Sequence, residues 1–228
     1  MQINAENYIQ QIEKLFENNN DSDISIKMEN YMRNQFEFLG IKSPKRKDLT
    51  RHFLRVNELP PIGDLEKVVN HFWENPKREY QYLAMEIANK YTKSMTVAHF
   101  KLLESMITTK SWWDTVDFIA SNLVGSLYLK YPEEGFKQIE LWRKSGNLWL
   151  VRTCIIFQLK FKENVDEKLL CSLIEENKTH PDFFIRKAIG WALRQYSKYK
   201  PERVKDIVNR IELSKLSNKE ALKYISLV

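Results

Sequence analysis

The sequence predicts an all-α protein built of stacked helical hairpins, on three grounds. Apolar residues recur at helical spacing along almost the whole chain, with short polar breaks between the stretches. No segment alternates apolar and polar residues as an amphipathic strand would. Six glycines and seven prolines in 228 residues are too few for a fold that turns at every strand end.

Each element has its own signals. Residues 4–17 carry Tyr8, Ile12, Leu15 and Phe16 in one stripe behind Asn4, an N-cap candidate. After the polar break 18–23, a second helix is predicted over 24–38, with Gly40 closing it. A third opens at Ser43 as cap and Pro44 as first helical residue, with Lys42, Lys45, Arg46 and Lys47 crowding its start. Backbone amides at a helix start beside Lys45 and Arg46 suit a phosphate. Pro60 and Pro61 end that helix. Helical patterns follow at 65–74, 76–91, 96–108, 111–130, 133–145, 147–161, 165–177, 181–198, 201–211 and 217–226.

The hairpins repeat. Ala84, Ala120, Cys154 and Ala188 are small residues in similar helical contexts, separated by 36 (120−84), 34 (154−120) and 34 (188−154) residues. A hairpin of that length buries its apolar face only by stacking on its neighbours. The expectation is one domain over 1–228, a right-handed HEAT-like solenoid with a concave, basic inner face.

Charge and composition narrow the function. With 36 Lys and Arg against 30 Asp and Glu, the net charge of +6 favours a polyanionic partner. Cys154 and Cys171 are the only cysteines and form no CxxC; His52, His71, His99 and His180 form no zinc motif, so no metal is expected. No apolar run has membrane-spanning length, and the first residues do not read as a signal peptide, so the expected setting is the cytoplasm.

Residues 109–117, Thr-Lys-Ser-Trp-Trp-Asp-Thr-Val-Asp, hold the densest chemistry. On a helix Trp113 and Asp117 share one face, while Trp112, Val116 and Ile119 share another. A carboxylate beside an indole plane suits a cationic ligand. One repeat later come Trp149 and Arg152, and one further Lys187, Trp191 and Arg194 on one face. Lys160 and Lys162 extend the basic surface.

These stretches carry a family resemblance. Thr109–Asp117, Asn147–Arg152, Phe184–Tyr196 and Tyr31–Ile41 together resemble the AlkD family of bacterial DNA glycosylases, over nearly the whole chain. The resemblance implies excision of positively charged N3- and N7-alkylated purines from double-stranded DNA. It implies no metal or organic cofactor, and a lesion held in the duplex rather than flipped into a pocket. Carried over by position, Asp117 resembles the catalytic carboxylate, Trp113 and Trp191 the aromatics bordering the lesion, and Arg152 a base on the DNA backbone. Tyr31 resembles a tyrosine near the site, and Lys160 and Arg194 match DNA-facing bases. Thr153 and Cys154 replace the pair of alanines common in the family, both still small. Within that reading Lys187, Lys45 and Arg46 are further DNA contacts, and the protein acts as a monomer. Two other readings stay open: a non-catalytic HEAT-repeat module for damaged or branched DNA, and a scaffold for protein partners, which the basic face disfavours.

Overall fold

The computed structural model describes residues 4–225, and every regular element among them is helical. The chain divides into two compact units, Met1–Ser94 and Met95–Val228.

The first unit opens with α1 (Ala5–Glu17), capped by Asn4, whose side chain accepts from the Glu6 amide at 3.0 Å. Tyr8, Ile12 and Phe16 are fully buried, as the spacing predicts. The next helix, α2 (Ser22–Tyr31), is capped by Asp21 and stops seven residues before the predicted end at 38. The reason lies 40 residues on. Glu79, fully buried, takes the backbone amides of Leu39, Gly40 and Ile41 at 2.9, 3.0 and 3.0 Å. Phe38 and Ile41 bury beside it, so residues 36–41 run as a strap instead of a helix. Gly40 therefore does not close α2. It holds a left-handed φ of 87°, and a Cβ there would lie 1.9 Å from the Asp21 carbonyl oxygen.

The third helix, α3, spans Ser43–Val56. Ser43 is not its cap: Lys42 holds that position without a side-chain hydrogen bond, and Pro44 lies in the first turn. The helices α4 (Leu65–Glu74) and α5 (Arg78–Lys90) then pack on each other. At the start of α5 the buried Arg78 guanidinium lies 3.7 Å from the Phe36 ring centroid. Burial pushes the Glu79 carboxyl upward, and the strap amides oppose that shift. Glu79→Ala would orphan three amide donors. It should lower the unfolding free energy by about 3 kcal/mol or more, read as a lower denaturant midpoint.

The second unit contains α6 (Phe100–Thr108), α7 (Trp113–Phe118), α8 (Gly125–Lys130), α9 (Pro132–Trp142) and α10 (Leu148–Ile156). It continues with α11 (Glu167–Asn177), α12 (Phe183–Ser197), α13 (Pro201–Arg210) and α14 (Lys215–Ala221). The last predicted helix, 217–226, thus starts earlier, and residue 226 lies outside the described residues. Contacts run in series from α6 to α10, α10 to α12 and α12 to α14, the arrangement expected of stacked repeats. Ala84, Ala120, Cys154 and Ala188 are each 0% exposed, so the four recurring small residues are core positions.

One irregularity matters for the site. The predicted helix 111–130 runs from Trp113, but Ile119–Val124 is a π-helical turn between α7 and α8. Gly125 follows it, where a Cβ would meet the Phe157 carbonyl oxygen at 2.6 Å. Backbone cannot yield as a side chain can. Gly125→Ala should destabilise by about 2 kcal/mol, read as a lower thermal midpoint.

Candidate functional site

Asp117 sits one turn after Trp113, near the end of α7. Asn147 starts α10 by accepting from the amides of Trp149 and Leu150 at 2.9 and 3.2 Å. That cap sets the register in which Arg152 faces α7. The two side chains form a bidentate pair: Arg152 Nε donates to Asp117 Oδ1 at 2.7 Å and Nη2 to Oδ2 at 2.9 Å. Nη1 donates to the Phe184 carbonyl of α12. Three successive repeats therefore meet at one guanidinium.

Arg152 is 4% exposed, whereas the Asp117 side chain keeps 16% of its surface open. The pair thus has a buried cationic side and a partly open anionic side. Burial pushes the Asp117 carboxyl above the ordinary aspartate range; the hydrogen bonds and charge of Arg152 pull it down, and Asp114 pushes it up. The sequence places Arg152 against a DNA backbone; within the protein its Nε, Nη1 and Nη2 each donate one hydrogen bond, which leaves one further N–H on each terminal nitrogen. The bidentate geometry fixes the plane of the Asp117 carboxylate.

Three aromatic rings cluster beside the pair, and one of them, Phe184, lies near the guanidinium. Trp112, Trp149 and Phe184 lie 5.9, 5.3 and 5.1 Å apart pairwise by ring centroid, one from each repeat. Phe184 also lies 5.9 Å from the Arg152 guanidinium carbon. The sequence singled out Trp113 over Trp112, yet Trp112 is the residue in this cluster. It is half-buried at the cap of α7 with extended backbone, while Val116 and Ile119 go into the core. The 37- and 35-residue steps from Trp112 to Trp149 and from Trp149 to Phe184 were the available signal.

Along α12, Phe184, Lys187, Trp191 and Arg194 follow each other at steps of three, four and three, a single face. Trp191 is half-buried on that face, as Trp113 is on α7. Lys187 and Arg194 are not free cations. Lys187 Nζ donates to Glu220 Oε1 at 2.7 Å and Arg194 Nη1 to Glu220 Oε2, both on a residue of α14 that sequence reasoning missed. Lys160 is exposed and donates to Asn122 Oδ1 in the π turn behind Asp117.

In the first unit Tyr31 ends α2 at 73% exposure, and Lys45 is exposed on α3 with its Nζ 3.3 Å from the Asn19 carbonyl. Arg46 departs from the phosphate-binding expectation. It is 5% exposed, pairs with Glu86 at 2.8 Å and lies 4.9 Å from the Tyr82 ring centroid. The amphipathic stripe of α3 points it inward, where Glu86 and Tyr82 complete its contacts.

Among the described residues, no group of three or more His, Cys, Asp or Glu side chains is placed to hold a metal ion. Among them too, no helix is long and apolar enough to cross a membrane.

The family model for the DNA alkylation repair enzyme matches residues 12–225. A solved structure of a predicted DNA alkylation repair enzyme from Enterococcus faecalis is similar, with a TM-score of 0.85 and 31% identity over 92% of this chain and 98% of that one. No curated protein matches.

Proposed function

Because the chain belongs to the DNA alkylation repair enzyme family, we propose that it is a DNA N-glycosylase acting on cationic N3- and N7-alkylated purines in double-stranded DNA. The observation that carries this reading is the bidentate Asp117–Arg152 pair with its partly open carboxylate.

An alkylated purine such as 7-methylguanine or 3-methyladenine is already a good leaving group, since departure neutralises its charge. The difficulty lies on the deoxyribose, where an oxocarbenium-like charge builds as the N-glycosidic bond breaks. A fixed anion beside that sugar lowers the barrier, because it requires little reorganisation when the charge appears. Asp117 supplies the anion and orients the attacking water. Arg152 is a positioning residue: it locks the carboxylate plane from behind. Trp113 and Trp191 border the lesion, their electron-rich faces favouring positive charge. Lys160 and Lys45 neutralise phosphates. The base stays in the helix, so bulky adducts are tolerated. Neutral lesions are not processed, because nothing protonates their leaving group. The activity as read places the protein in base excision repair of alkylation damage.

The test is release of 7-methylguanine from methylated duplex DNA by the wild type and by Asp117→Asn. Release by wild type alone supports the reading. No release by wild type overturns it, and salt-sensitive duplex binding without release would then leave a binding module. Equal release by both removes Asp117 from the chemistry.

A further inference from the structure

The carboxylate of Glu220 lies between two cations of α12, with Lys187 Nζ on one oxygen at 2.7 Å and Arg194 Nη1 on the other. Packing puts it there. Gly190 lets α14 approach so closely that a Cβ on it would stand 2.5 Å from Glu220 Cβ and 2.8 Å from the Ser217 carbonyl oxygen. Ser217, fully buried, anchors the same turn by donating to the Arg186 carbonyl at 2.9 Å. The three charged side chains still reach solvent, at 36% for Lys187, 21% for Arg194 and 17% for Glu220. Lys187 first, then Arg194, holds the Glu220 carboxyl below the ordinary range. Trp191 stands between the two cations on the same helical face.

A carboxylate with one cation on each oxygen presents much the same pattern as the two non-bridging oxygens of a phosphodiester. We propose that Glu220 is an internal stand-in for a DNA backbone phosphate. In the free protein it occupies the Lys187–Arg194 site, and on binding a duplex phosphate takes the two cations from it. This rests on the DNA-binding part of the proposed function. The exchange replaces one anion by another, so the site adds little net affinity for intact duplex. The mask thereby weakens retention on undamaged DNA while keeping both cations spaced for a phosphate beside Trp191.

The experiment compares binding of an unmodified duplex oligonucleotide by wild type, Glu220→Gln, Glu220→Asp and Glu202→Gln across a salt series. Glu202→Gln makes the same change in net charge at an exposed position on α13. Glu220→Gln should bind roughly tenfold tighter at low salt, the worth of about one charge-assisted hydrogen bond. Its plot of log affinity against log salt should steepen by about one to two, since each freed cation adds roughly 0.9. Adding Lys187→Gln to Glu220→Gln should remove most of the gain, and Glu220→Asp should fall between. A gain no larger than that of Glu202→Gln, with wild type binding normally, overturns the mask alone. Loss of fold in both Glu220 variants makes the residue a structural clamp and also overturns it. Failure of wild type to bind any duplex at low salt overturns the mask together with the DNA-binding reading.

Discussion

Asp117→Asn is expected to slow single-turnover release of 7-methylguanine by on the order of 10²–10³ at neutral pH. The substitution keeps the volume and one acceptor for Arg152. It replaces the second oxygen, which now accepts from Nη2 at 2.9 Å, with an amide donor facing a donor. The charge is lost and the side chain is turned. Duplex affinity should stay within about threefold or rise slightly, because one anion leaves a surface that meets phosphates. A fall in release with affinity unchanged places Asp117 in the transition state and not in binding. The pH profile adds a second readout. Burial raises the carboxyl of Asp117, so its ionised form is lost at a higher pH than for an ordinary aspartate. Wild-type activity should therefore fall on an acid limb above the ordinary aspartate range, and the residual activity of Asp117→Asn should lack that limb. A wild-type limb in the variant would assign the titration to another group.

Part of this site was legible in the sequence, and the limits have physical causes. Asp117 and Arg152 are 35 residues apart, close to the spacing of the recurring small residues, so stacked repeats had to bring them near each other. The helices themselves followed from periodicity, since burying one face of each is what drives a hairpin onto its neighbour. The strap at 36–41 did not. Its apolar residues fit a helical stripe, and only the buried carboxylate of Glu79, 40 residues away, makes the extended path cheaper by accepting three amides. Arg46, Lys187 and Arg194 read as open cations for a related reason. Glu86 and Glu220 carry no periodic signal that would announce which base they meet. The three-part contact of Arg152 was hidden too, because a carbonyl acceptor such as that of Phe184 leaves no trace in residue type.

Arg152→Met separates positioning from chemistry and has the second large effect. Met matches much of the buried stem but leaves Asp117 with no cation behind it. Breaking a buried pair from one side costs about 3 kcal/mol or more, because the remaining charge stays desolvated. The Asp117 side chain is only 16% exposed, so water compensates little. The loss should depend on pH in a definite direction. Removing Arg152 lifts the two influences that pull the Asp117 carboxyl down, and burial then raises it further above its unfolded value. A group raised in the folded state favours folding below its unfolded pKa, and that contribution disappears as pH climbs through the folded pKa. Arg152→Met should accordingly be least destabilised in acid and lose stability progressively as pH rises toward neutrality, in chemical unfolding followed across that range. Combining it with Asp117→Leu should recover much of the stability, since neither charge is then left alone. Activity should not return in the double variant. Recovery of fold without recovery of release would show that the guanidinium serves the carboxylate and the carboxylate serves the reaction; equal destabilisation at every pH would show that Arg152 matters only through its packing and its bond to Phe184.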